Sequence, residues 1–144
     1  MGLAPPAQGQ ARVRVESGIE LLAVGSTPEQ WLVGGSRWWR TGARTRIGGL
    51  AAAGLAGGSL AGRGELAAHF LLNPNAPRGL GWYGGGGVAG TIGEAEAVRM
   101  LVLIGVDQRP GAARGWFAEL GLGGGVRLAV GWRWRALGVR VLER

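Results

Sequence analysis

The stretch GVRLAVGWRWR at 125–135 permits very few folds. Val126, Leu128, Val130, Trp132 and Trp134 occupy one parity; Arg127, Ala129, Gly131, Arg133 and Arg135 occupy the other. Side chains alternate across a β-strand, so this is a strand with one apolar and one cationic face. In a soluble barrel or sandwich the apolar face turns inward. In a membrane barrel it turns outward, toward lipid. What the chain does depends on which face is inside.

The two-residue period recurs along the chain. Segments at 11–25, 31–41, 45–57, 65–73, 80–91, 98–108, 116–122 and 125–135 are separated by turn residues such as STPEQ, TGAR, GGSLAGRG, NPNAPRG and RPGAAR. In the first, Val13, Val15, Ile19, Leu21 and Ala23 oppose Arg12, Arg14, Glu16 and Glu20. The phase of the second is ambiguous because Trp38 and Trp39 are adjacent. Helix competes at GELAAHFLL and EAEAVRMLVLI, where Glu and Ala favour it, but the flanking glycine density argues for strands. Eight segments of this length suit an all-β, eight-stranded antiparallel up-and-down barrel, in which about 9–11 residues cross the apolar layer. The expected organisation is a tail at 1–10, a barrel at 11–135 and an extension at 136–144. The tail, with its small residues before QARVRV, reads either as the remnant of a removed leader or as a plain tail.

Composition favours lipid on the outside. Charged residues make up 17% of the 144, too few to cover a solvated outer wall. Several Trp on the apolar parity would overfill a barrel of eight strands, whose interior just accommodates ordinary side chains. The other parity mixes Arg and Glu with Gly and Ala, leaving room for buried ion pairs. A soluble ligand-binding barrel with the faces inverted remains the alternative. The expected polar interior comprises Arg12, Arg14, Glu16, Glu20, Glu65, His69, Arg99, Asp107, Glu119, Arg127 and Arg133. Charges of both signs there can pair and plug the barrel; a small-solute pore is the competing outcome.

Up-and-down strand order brings scattered aromatic residues to one rim. Trp38, Trp39, Trp82, Tyr83, Trp116, Trp132 and Trp134 form the expected girdle, at the depth where amphipathic rings favour a bilayer interface. Arg40, Arg44, Arg46, Arg78, Arg109, Arg114 and Arg135 fall near the same rim, within reach of anionic headgroups.

No catalytic, cofactor or metal site is expected. The chain has no Cys and one His, so a protein-ligated zinc site is not expected. GGGVAG at 85–90 matches G-x-G-x-x-G, with Asp107 downstream, but LGWY is a poor buried parallel strand to precede a dinucleotide loop. The net charge of +7 and the Arg–Trp interleaving of SRWWR and GWRWR permit nucleic-acid stacking. Arg and Trp together at a bilayer interface, with Arg reaching headgroups and Trp at the boundary, is the favoured account, so no nucleic acid is expected.

The chain resembles the OmpA/OmpX-type eight-stranded outer-membrane β-barrels over about 11–135. Its most specific element is AVGWRWR, similar to the closing strand of such barrels, with Trp132 and Trp134 two apart after Gly131. The resemblance implies a bacterial outer-membrane protein, lipid partners and recognition of that strand by the barrel-assembly machinery. The family usually ends on the final aromatic residue, whereas this chain continues ALGVRVLER. Some barrels of this size hydrolyse lipid A with Ser, His and an acid, but AHFLL places no Ser beside His69. The expectation is a non-enzymatic protein with a structural or membrane-interaction role.

Overall fold

The computed structural model describes residues 11–25, 29–93 and 97–139. They form eight strands: β1 (Ala11–Gly25), β2 (Gln30–Arg40), β3 (Thr45–Ala56), β4 (Ser59–Leu71), β5 (Leu80–Gly93), β6 (Ala97–Gln108), β7 (Arg114–Leu122) and β8 (Val126–Val139). Each pairs antiparallel with the next, and β1 pairs with β8 from Ala11↔Val139 to Gly25↔Val126, closing the barrel. Closure pairs every strand on both sides, apart from the start of β6, which pairs with β7 only from Val102 on. Both stretches with helical competition are strands where described: GELAAHFLL lies in β4 up to Leu71, and 97–104 lies in β6. The expected tail at 1–10 and the residues at 140–144 lie outside the described residues.

Strand bounds follow the alternation with two corrections. GGSLAGRG is not one long turn: only Gly57 and Gly58 turn, and β4 begins at Ser59. Both glycines have positive φ, 59° and 86°, as a two-residue hairpin matching the sheet's twist requires. The barrel also does not stop at 135. β8 runs on to Val139, and its last residues pair with the start of β1.

The end of β1 and start of β2, the 57–58 turn, the end of β5 and start of β6, and the 123–125 turn lie at one end, called here the hairpin end. The connections at 41–44, 72–79 and 109–113 gather at the other, the terminal end, where β1 begins and β8 finishes.

The faces are not inverted. Val102, Ile104, Leu120, Leu128 and Val130 are each 50–55% exposed on the outer wall, whereas Glu16, Arg46, Asp107, Arg127 and Arg133 are at most 1% exposed inside. A soluble protein places these classes the other way round. One irregularity breaks the parity. A bulge between Val13 and Val15 shifts the β1–β8 register, so Val13 points inward and Arg14 outward, while Glu16 and Glu20 keep their inward places.

Candidate functional site: the charged lumen and the aromatic rim

Among the described residues the lumen holds five acids, Glu16, Glu20, Glu65, Asp107 and Glu119, all of them buried. Near the terminal end, Glu16 accepts from Arg40 Nε at 2.6 Å, Arg46 Nη1 at 2.8 Å and Arg135 Nε at 3.2 Å. Asp107 faces Arg46 Nη1 and Arg133 Nε, both at 3.2 Å, and Arg135 Nη2 at 3.4 Å. Toward the hairpin end, Arg127 makes a two-pronged bond to Glu65, 2.7 Å on each prong, and gives Nη1 to Glu119 at 2.8 Å. Arg63 donates to Glu65 at 2.7 Å and to the carbonyl of Gly123 at 2.9 Å. Arg133 joins the two groups through Glu119, at 3.4 Å, and the Tyr83 hydroxyl, at 3.2 Å. Glu20 differs from the rest: Ser36 Oγ donates to it at 2.9 Å, and it makes no ion pair among the described residues.

Aromatic rings fill the space between these groups. His69 stacks between Trp38, at 4.1 Å between ring centroids, and Tyr83, at 4.7 Å. Arg46 lies 4.5 Å over Tyr83, and Arg133 lies 3.9 Å over Phe117. His69 Nδ1 accepts from Arg46 Nε at 2.9 Å. Each ring rests on a glycine directly across from it on the next strand: Trp38 on Gly48, His69 on Gly85, Tyr83 on Gly105 and Phe117 on Gly131. A Cβ at those glycines would come within 2.9, 2.5, 2.5 and 2.8 Å of the ring. These four inner-wall glycines are thus the footprint of the rings rather than room left for ion pairs.

The terminal mouth is closed by its own turns. Arg40 donates to the carbonyls of Pro74 and Pro110, at 3.3 and 3.2 Å, and Arg135 to those of Arg109 and Ala112, at 3.1 and 3.3 Å. Gly111 N–H bonds to Ala76 O at 2.8 Å, tying two turns together across the opening.

The expected interior set is corrected at two cations. Arg14 is exposed because of the bulge. Arg99 is exposed although it shares the inward parity, because β6 pairs with β7 only from Val102 on and projects beyond the wall there. The side chain of Arg12 lies outside the described residues. Glu16, Glu20, Glu65, His69, Asp107, Glu119, Arg127 and Arg133 are placed in the lumen. The missing cations are Arg40, Arg46, Arg63 and Arg135, of which Arg40, Arg46 and Arg135 had been expected at the headgroup rim.

The rim is corrected in the same way. Trp38 and Tyr83 are 4% and 2% exposed and belong to the lumen stack, since adjacent strand residues cannot both face outward. Trp39, Trp82, Trp116, Trp132 and Trp134 are outward and 36–52% exposed. Their registers set them near the terminal end, with Trp116 opposite Trp132 and Arg114 opposite Trp134. Trp31, 64% exposed, lies near the hairpin end. GGGVAG is a length of β5 rather than a strand–turn–helix, and Asp107 is occupied by guanidinium groups, so the dinucleotide motif has lost its structural context.

No family model matches the chain, and no curated protein matches it in sequence. Among solved structures it is similar to the N-terminal β-barrel domain of OprF from Pseudomonas aeruginosa, with a TM-score of 0.66 and 15% identity over 88% of this chain and 100% of that one. The fold is therefore that of the OmpA-like eight-stranded barrels.

Proposed function

We propose that the protein is a small outer-membrane barrel with a structural or membrane-interaction role, no catalytic activity and a plugged lumen. One observation carries this reading: the wall presents large aliphatic and aromatic side chains outward, while the charged residues pair with one another inside. Only an apolar surrounding makes that partition favourable. In water the outer wall, where Arg37 on β2 is the one exposed charge between the two ends among the described residues, would be an apolar surface far above the few hundred Å² that soluble monomers tolerate. The OmpA-like fold supports the outer membrane as the location.

The lumen supports a plug better than a pore. Eight strands enclose only enough space for side chains. Here that space is taken by paired Arg and acids, by the three stacked rings of Trp38, His69 and Tyr83, by Phe117 beneath Arg133, and by turns bonded across the terminal mouth. Ion pairs occupy Glu16, Glu65, Asp107 and Glu119, Ser36 donates to Glu20, and His69 touches rings and a guanidinium.

The test is refolding of the full chain from urea with and without phosphatidylcholine vesicles, followed by planar-bilayer recording. Strand structure that forms only with lipid, with no steady conductance steps, is the expected result. A folded, monodisperse protein in plain buffer would refute the membrane reading. Steady single-channel conductance would refute the plug.

A further inference from the structure

At the terminal end, the exposed charges among the described residues all have one sign. Arg14, Arg44, Arg78, Arg109 and Arg114 are exposed there, and the acids of the neighbouring strands, such as Glu16 and Asp107, are turned into the lumen. The hairpin end carries one exposed charge of each sign among the described residues, Glu29 and Arg99.

These cations are distributed, not clustered. Arg14 lies where β1 meets β8, Arg44 in the β2–β3 turn, Arg78 in the β4–β5 turn and Arg109 in the β6–β7 turn. In an up-and-down barrel of eight strands those junctions are the four corners of one mouth. Outward Trp side chains lie just above them on the wall. The side chains of Arg14, Arg78, Arg109 and Arg114 take part in none of the side-chain hydrogen bonds or ion pairs of the described residues, so their donors face outward unspent.

We infer that this ring of arginines binds the phosphates of anionic glycerophospholipids in the leaflet that surrounds the terminal end. A ring fits a plane of separate headgroups. A nucleic acid or another linear polyanion would instead need a basic groove or patch running along its backbone. Guanidinium groups make forked bonds to phosphate, and the Trp rings directly above them fix the depth at which those forks are presented. The inference rests on the bilayer reading above, and it adds a preference for one lipid class at one end.

The experiment uses the full chain refolded into phosphatidylcholine bilayers containing a minor fraction of phosphatidylglycerol. In matched samples one of the two lipids carries bromine near the headgroup end of its chains, so that it quenches rim Trp fluorescence. An arginine close to an anionic surface raises lipid association by roughly fivefold. Phosphatidylglycerol should therefore quench severalfold more than phosphatidylcholine at equal mole fraction, and high salt should reduce the difference. In the variant Arg14→Gln/Arg78→Gln/Arg109→Gln/Arg114→Gln, the ratio should fall toward one while circular dichroism shows an unchanged barrel. A ratio of one in the unaltered protein, or an unchanged ratio in a folded variant, overturns the inference and leaves the bilayer reading standing. Failure to enter either bilayer overturns both. Binding of duplex DNA by the refolded protein, lost in the variant, would replace the lipid with nucleic acid as the partner.

Discussion

Changing Glu16 to Gln should be among the most damaging single substitutions in this barrel. The carboxylate is 0% exposed and lies within 2.6 to 3.2 Å of nitrogens from Arg40, Arg46 and Arg135, with Arg133 Nε at 3.9 Å. The amide keeps the shape and removes the charge. Arg46, Arg133 and Arg135 would then share Asp107, and Arg40 would keep only the carbonyls of Pro74 and Pro110. Breaking a buried pair by neutralising one partner costs about 3–5 kcal/mol. A small domain has only about 5–15 kcal/mol to lose. With a urea slope of about 1–3 kcal/mol per M, the unfolding midpoint should fall by about 1 M or more. The control is Glu20→Gln. Glu20 is just as inaccessible, at 5% exposure, but its bond is to Ser36 Oγ, which an amide oxygen accepts equally well. That change should cost no more than about 1 kcal/mol. Urea unfolding in phosphatidylcholine vesicles, followed by Trp fluorescence, measures both. Equal midpoints for the two variants would refute the claim that the Glu16 network, rather than burial of acids in general, holds the lumen together.

Three further substitutions probe the two walls. Gly105→Ala should cost about 1–3 kcal/mol through overpacking, because its Cβ would lie 2.5 Å from the Tyr83 ring. Gly64→Ala, whose Cβ would come no closer than 3.9 Å to Leu50 O, should change stability by less than about 0.5 kcal/mol, and the same unfolding assay reads the difference. On the outside, Val102→Arg should cost about 2–4 kcal/mol in lipid, as a cation at mid-depth on a wall position that is 55% exposed. A Val102→Arg protein as stable as the original in vesicles would contradict the outward assignment of that face.

Much of the barrel is legible in the alternation, because a half-apolar strand exposes its period wherever both residue classes are present. β6 and β8 carry Val, Ile, Leu or Trp on one parity and charge or glycine on the other, and their faces follow directly. β3 carries little beyond Gly and Ala, so nothing in its pattern turned Arg46 inward. Arg63 was hidden by a glycine-rich run that looks like a turn, although its residues extend into a strand beneath neighbouring side chains. The bulge that sends Arg14 outward leaves no mark in composition. Other signals were present. Arg135 shares the parity of Arg127 and Arg133, and parity alone forbids Trp38 and Trp39, or Trp82 and Tyr83, from facing the same side. The lumen stack was illegible for another reason: each ring lies opposite a glycine on a different strand, and only the register reveals the pairing.

The central claim is that this wall sits in a bilayer with its aromatic rim at one interface. Single-Trp variants, refolded into vesicles and quenched by lipids brominated at graded depths, test it most directly. Trp39, Trp82, Trp116, Trp132 and Trp134 should report one shallow depth. Trp31 should report a shallow depth at the opposite interface, reached by quencher placed in the other leaflet, and Trp38 should be shielded inside the barrel. Widely scattered depths among the five rim residues, or water-like quenching of all of them, would contradict the account.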